Sequence, residues 1–429
     1  MRFYESKSDL IGEKVFRGRH ASGLEVVIVP KDHEKAFALF GTRYGSVDRT
    51  FKTQHDADFV TVPDGIAHFL EHKLFENEDG SDTFARFAET GASCNAFTST
   101  EMTAYLFSAT KDYYQNLDIL LDFVTHPYFT EQTVQKEMGI IGQEIRMGLD
   151  EPFHALYYNL LGALYHDHPI KVDVAGTEET ISHITADILY RCYRTFYNPS
   201  NMLLVLAGKW DKKKVAEAVD RHIPADAEKI SITRSFPKEK RGIVRRRVET
   251  KGEVALPLFA IGLKEGDLKK RQTSLDILKK EAEHEILSDL LFGRTSALYN
   301  RLYEEGLISE KFDVEYNLSP SCGTLLLYGE SRKPEKIFRA VRDTVKNAAS
   351  LLEQGDFERS RRAVYAGAVQ DWNSTTEIAE AYMDFAFSGA DMLRYPEVIA
   401  AVTKEDLLRR IEKSYRPAAL ALSVVKPVK

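Results

Sequence analysis

The sequence predicts an α+β protein built from two similar halves. Three observations carry this. The N-terminal region alternates β-branched runs with glycine-containing turns. From Gly65 the apolar spacing changes to the three-and-four period of a helix. One helix–turn–strand pattern then occurs twice, about half a chain length apart.

Val15 to Arg19, the turn His20 to Gly23, and Leu24 to Pro30 read as a hairpin, with β-branched residues on either side of the turn. Ala36 to Tyr44 is a further strand, ending at Gly45. In GIAHFLEHKLFE, Ile66, Phe69, Leu70 and Leu74 recur at helical spacing, and Asp64 is the expected N-cap, after Pro63. Strand-like sequence returns from Ala96 to Ala109. Two helical stretches follow, Tyr113 to Thr125 and Glu131 to Met147.

The repeat begins at Ile184 and again at Val402. Thr185 meets Thr403, a shift of 218 residues, and at that shift Leu189 meets Leu407, Arg191 meets Arg409, Tyr197 meets Tyr415 and Pro199 meets Pro417. Each copy is a helix, a Tyr-x-Pro turn and an apolar strand. A period this long points to two homologous domains and not to an array of short repeats. The expected division is an N-terminal domain over residues 1–230, a linker over 231–245 and a C-terminal domain over 246–429. The joint lies within Pro224 to Arg247 and holds the basic run KEKRGIVRRR, which reads as a solvated connection because no aromatic residue interleaves its charges.

Composition narrows the function classes. Of 429 residues, 43% are hydrophobic and 29% charged, so a core of ordinary size can form. The net charge of −7 argues against a nucleic-acid partner, since such proteins show a basic excess. Three scattered cysteines, Cys94, Cys192 and Cys322, fit reduced thiols and not a disulfide framework. No apolar run reaches the length of a membrane span, and MRFYESKSDLIGEK lacks a signal-peptide core. A cytoplasmic location is the expectation.

The chemistry is concentrated in the early helix. His68 and His72 are four apart and so share one face. Two imidazoles so placed can chelate one metal ion, and zinc suits them with a carboxylate as third ligand. Glu71 projects near the same face and can take a proton from water and pass it to a leaving amine. Downstream, in QKEMGIIGQEIR, Glu137 and Glu144 are seven apart, hence on one helix face. That face includes Ile140 and Ile141 and is expected to look inward. Glu144 is the candidate third ligand. Glu137, about 10 Å further along, is placed to hydrogen-bond a ligand histidine.

This pattern resembles the inverted zinc signature of the pitrilysin/insulinase-type metallopeptidases, the inverzincins. The resemblance covers nearly the whole chain. It includes Gly45-Ser46, Asn95-Ala96-Phe97-Thr98-Ser99 with Thr103 and Tyr105, His168-Pro169 with Gly176-Thr177, and Tyr197-Asn-Pro-Ser-Asn-Met202. It implies two homologous α/β-sandwich domains with antiparallel or mixed sheets and packed helices. It implies one Zn2+ per chain held by His68, His72 and Glu144, with Glu71 as general base and Glu137 in support. It also implies a peptide substrate lying as an added strand near Asn95 and Ala96, with Phe75 and Phe97 lining the pocket after the scissile bond.

The second half departs from the family pattern. Relatives carry an Arg and a Tyr there that hold substrate and stabilise the oxyanion. In LYNRLYEEGLIS, Tyr303 and Ser309 stand at those places, while Arg301 is out of register and Tyr316 lies further on. Nor is the metal set repeated, since Asp289 falls opposite His72 and Ser288 opposite Glu71. The resemblance implies a hetero- or homodimer with a related family chain, and the missing pair is expected from a second, related chain in a heterodimeric clamshell. The expected function is a zinc endopeptidase cleaving short or unfolded peptides. The alternative is a catalytically reduced structural or substrate-binding subunit of a processing-peptidase-like complex.

Overall fold

The computed structural model describes residues 1–266, 268, 272–319 and 321–428. These form two compact units. The first comprises residues 1–145, 172–235 and 370–387, and the second residues 146–171, 236–369 and 388–429. Compact packing therefore crosses the expected boundaries, because one late helix joins the first unit and one early helix joins the second.

In the first unit the strands are β1 (Phe3–Ser8), β2 (Glu13–Arg19), β3 (Glu25–Pro30), β4 (Ala36–Thr42), β5 (Thr50–Thr53), β6 (Val60–Thr61), β7 (Ser93–Thr98), β8 (Thr103–Ala109), β9 (Met202–Gly208) and β10 (Ile232–Arg234). Seven of them form one sheet in the order β1-β2-β3-β9-β4-β8-β7, and β10-β5-β6 form a small second one. Alternation along the central strands buries both faces. Ala36, Ala38 and Phe40 join the core beneath the helices, as do Val26 and Ile28 of β3 and Leu204 and Leu206 of β9. The intervening Phe37, Leu39, Val27 and Val205 are also buried. The helix Thr375–Ser388 belongs to this unit for a visible reason: Met383 lies where a side chain on Gly41 of β4 would be, and the Tyr382 hydroxyl accepts from Arg17 Nε at 2.7 Å.

The expected strand Ala96 to Ala109 is a hairpin, since β7 and β8 pair antiparallel from Ser93↔Ser108 to Thr98↔Thr103. Ser99 makes the turn, its Oγ accepting from the backbone N–H groups of Glu101 and Met102. The helices are α1 (Ile66–Lys73), α2 (Thr83–Glu89), α3 (Tyr113–Thr125) and α4 (Glu131–Asp150).

Asp64 is not the cap of α1. Gly65 holds that position with φ 91°, in the left-handed region that only glycine adopts without strain, and Asp64 pairs with Arg49 at 3.2 Å. A Cβ on Gly65 would meet the Ala175 carbonyl oxygen at 2.4 Å. The entry to α1 is thus set by close backbone packing against the Ala175–Gly176 turn.

The second unit holds β11 (Arg247–Gly252), β12 (Leu258–Lys264), β13 (Asp313–Leu318), β14 (Gly323–Glu330) and β15 (Leu420–Pro427), in the order β11-β15-β12-β14-β13. This repeats the order β3-β9-β4-β8-β7 of the first unit. In both, the first strand of the order runs parallel to its neighbour and the remaining pairs are antiparallel. The repeated sequence motif sits at the same place in each: Thr185 and Thr403 cap their helices, and the apolar segments after Pro199 and Pro417 become β9 and β15. The helix α5 (Pro152–Leu164) lies on the second sheet, with Leu160 and Leu164 over Gly262 of β12.

Candidate metal centre

α1 carries His68, Glu71 and His72 on a helix anchored by Ile66, Ala67, Phe69 and Leu70, all buried. Those apolar residues fix the helix rotation, so His68, Glu71 and His72 face α4 and β7. The His68 and His72 rings are 4.6 Å apart, centre to centre. Glu144 of α4 meets both: its Oε1 is 3.5 Å from His68 Nε2 and its Oε2 is 3.6 Å from His72 Nε2. Among the described residues these three form the one group whose ligand atoms, all within 4.8 Å of one another, could share an ion.

The separations of Glu144 from the two imidazoles are compatible with a shared ion. They are longer than a good N–H···O bond. Ligands bound to zinc at about 2.1 Å in tetrahedral geometry lie roughly 3.4 Å apart. Two neutral imidazoles and one carboxylate are a donor set zinc accepts, and the three residues fit the ion.

Glu137 is one helical turn pair before Glu144 and does something different. Its Oε1 lies 3.0 Å from His72 Nδ1, which leaves His72 Nε2 to face Glu144. His68 has no such orienting partner among the described residues, and its Nδ1 is buried without one. The face of α4 is less uniform than expected. Ile141 is buried, but Ile140 is 47% exposed and the Glu144 side chain is 51% exposed. The site therefore opens to solvent on the Glu144 side.

Electrostatics follow from this packing. Burial raises the Glu71 carboxyl above the ordinary range, opposed by the hydrogen bond from Thr98. Burial lowers His72, but the bond to Glu137 and its charge outweigh this and leave it raised. Glu144 is lowered, chiefly by its approach to His68.

A cavity of about 740 Å³ adjoins the centre, lined by Glu71, His72, Phe75, Phe84, Asn95 and Ala96 among others. Phe75 stacks on Phe84 with ring centres 4.5 Å apart. The expected partner of Phe75, Phe97, does not line this cavity. Cys94 and Ala96 pack toward the core, so by strand alternation Phe97 points to the other face. Phe84, which sequence reasoning left aside, takes its place. β7 is the edge of its sheet. The Ala96 N–H bonds the Asn95 side chain at 2.9 Å and not β8, so it faces the open edge. Thr98, two residues on and not distinguished by the sequence pattern, donates its hydroxyl to Glu71 Oε2 at 2.5 Å.

In the second unit Asp289 and Ser288 lie on the helix Ser274–Phe292, and no second metal-ligating group forms among the described residues. Tyr316 of β13 stacks on His284 with ring centres 3.9 Å apart, and its hydroxyl donates to Glu265. Arg301 and Tyr303 lie on the exposed side of the helix Ala297–Glu304.

A repeated sheet order and one group of three side chains that could hold a metal ion define a class, a two-unit α+β protein with a candidate metal centre in its first unit. The particular family follows from comparison with known proteins. Residues 62–178 match the model of the insulinase family, peptidase family M16, and residues 183–364 match that of the peptidase M16 inactive domain. The chain is 38% identical to the uncharacterized zinc protease YmfH of Bacillus subtilis (strain 168), over 97% of each protein. It is 33% identical to the uncharacterized zinc protease YmxG of the same organism, over 34% of this chain and 36% of that one. Its structure superposes on an M16-like protein from Alicyclobacillus acidocaldarius with a TM-score of 0.92 at 33% identity, covering 100% of this chain and 99% of that one. Pitrilysin, at 13% identity and a TM-score of 0.76, shares the fold over 99% of this chain and 46% of its own length. The chain belongs to the insulinase family, peptidase family M16. Among the described residues no helix is long and apolar enough to cross a membrane.

Proposed function

We propose that this chain is a zinc-dependent endopeptidase that cleaves short or unfolded peptides bound as an extended strand. The observation that carries this reading is the approach of Glu144 to both imidazoles, at 3.5 and 3.6 Å. His68, His72 and Glu144 hold the ion, and Glu137 fixes the tautomer and orientation of His72. Zinc, when bound, polarises the scissile carbonyl and acidifies water. Glu71 takes the proton from water and delivers it to the leaving amine. A carboxyl raised by burial suits both halves of that transfer. The peptide adds to the open edge of β7, with backbone bonds at Asn95 and Ala96. The side chain after the scissile bond enters the cavity over Phe75. We read residues 1–230 and 246–429, joined through 231–245, as two copies of one domain of which only the first binds metal.

A second feature belongs to the proposal. Tyr303 and Ser309 stand at the places of the family's Arg/Tyr pair, Arg301 is out of register, and Tyr316 is engaged with His284 and Glu265. A related chain supplies the pair in a heterodimer. A catalytically reduced, substrate-binding subunit is the second reading, favoured by the match of residues 183–364 to the inactive-domain model.

The deciding experiment is hydrolysis of a fluorogenic peptide by the chain alone and with its native partner, beside Glu71→Gln. The endopeptidase reading expects hydrolysis with zinc and a loss of about 100-fold or more in Glu71→Gln. Equal hydrolysis by Glu71→Gln removes Glu71 as the base. Full hydrolysis by the isolated monomer removes the partner.

A further inference from the structure

The residue that aims the base is on the strand expected to receive the peptide. Thr98 ends β7, and its hydroxyl donates to Glu71 Oε2 at 2.5 Å. Directly across the hairpin, Thr103 Oγ1 is 3.2 Å from Thr98 Oγ1 and itself donates to the Tyr44 carbonyl at 2.9 Å. Thr103 is fully buried, and Tyr44 is too. A hydroxyl has one proton. With the Thr103 proton on a carbonyl, Thr103 offers Thr98 only a lone pair, and an ionised carboxylate needs a donor more than a neutral hydroxyl does. The Thr98 proton therefore goes to Glu71. With Oε2 held, Oε1 is the oxygen left to meet water.

We infer that Thr98 is a positioning residue for Glu71, fixing which carboxylate oxygen faces the reacting water and linking that orientation to the strand that binds the peptide. This rests on the proposed role of Glu71 as general base. The link is short. Ala96, whose N–H faces the open edge, is two residues from Thr98 on the same strand. A peptide paired along that edge stiffens β7, and the Thr98 hydroxyl carries the stiffening to the base. The hydroxyl is not needed to hold the hairpin, because the β7–β8 ladder runs on backbone bonds along its length.

Thr98→Val removes the donor at nearly constant shape, and Thr98→Ser keeps it. With zinc and the native partner present, kcat on a fluorogenic peptide should fall about 10- to 100-fold in Thr98→Val, the effect of a small misplacement of a reacting group. KM, bound zinc per chain and the melting temperature should stay at wild-type values. Thr98→Ser should recover most of kcat. A crystal structure of each variant gives a readout independent of turnover: the Glu71 carboxylate should keep one orientation in wild type and Thr98→Ser and lose it in Thr98→Val. An unmoved carboxylate in Thr98→Val overturns the inference. So does a kcat loss that comes with lost zinc or a lowered melting temperature, or one that Thr98→Ser fails to restore. Wild-type protein that hydrolyses no peptide even with its native partner, with the carboxylate still displaced in Thr98→Val, overturns the peptidase reading and supports the positioning.

Discussion

Glu137 Oε1 lies 3.0 Å from His72 Nδ1, and the Glu137 side chain is 8% exposed where that of Glu144, two turns on, is 51% exposed. One face of α4 thus presents two carboxylates in different surroundings. The buried one holds a histidine in place, and the open one is free to bind an ion. Glu137→Gln keeps the shape and removes the charge. Zinc affinity should fall about 10- to 100-fold, read by competition with a chromogenic chelator. Glu144→Gln should lose more, because it removes a ligand.

Metal removal should also weaken the fold. An ion bound only by the native state stabilises it by mass action. Dialysis against a chelator should lower the melting temperature of the wild type, and added zinc should restore it. His72→Ala should melt at the same temperature with or without zinc. A wild type indifferent to chelation would argue that the triad holds no ion.

Gly65→Ala tests the entry to α1. The residue sits at φ 91°, and a Cβ would lie 2.4 Å from the Ala175 carbonyl oxygen. Left-handed strain alone is worth about 1–2 kcal/mol, and the clash with rigid backbone adds to it. The variant should lose at least about 2 kcal/mol by denaturant titration. Its zinc affinity should drop as well, since the imidazoles sit on the first two turns.

Acid should destabilise the second unit before the carboxylates there protonate. Burial pushes His168 and His284 down to about 4. His168 Nδ1 accepts from the Ile170 N–H at 3.1 Å, and a proton on that atom would break the bond. Both folded values lie below the unfolded value of about 6.5. Their contribution is complete above pH 6.5 and is lost as the pH falls through 4. For His168 this is on the order of 3 kcal/mol. Urea midpoints measured from pH 7.5 to 4.5 should fall accordingly. His168→Asn, which keeps an acceptor for Ile170, should flatten the slope.

Much of the fold was legible in the sequence. The hairpin over residues 15–30 is there, and the strand expected from Ala36 is β4 (Ala36–Thr42), two residues shorter than read. The helix Tyr113–Thr125 runs over the expected residues. The 218-residue repeat corresponds to a repeated strand order. The misses share a cause. Residue type points to Asp64 as the cap, but Gly65 takes that position because the Ala175–Gly176 turn packs against it. The Ala96–Ala109 strand was read through a turn whose bonds come from the Ser99 side chain, a signal that apolar period does not register. The ring that stacks on Phe75 beside the cavity is Phe84, from a separate helix that no local period links to Phe75.

The sequence by itself determined what is local and periodic. Two imidazoles and a carboxylate share a turn of α1 because the helical repeat is 3.6 residues, and Glu137 and Glu144 share a face of α4 for the same reason. It could not determine which carboxylate meets which imidazole, which oxygen of Glu71 is held, or which aromatic ring floors the cavity. Those depend on the rotation of α1 set by Phe69 and Leu70 in the core, and on the register of β7 against β8. Such relations join residues tens of positions apart, and only packing fixes them to within an ångström.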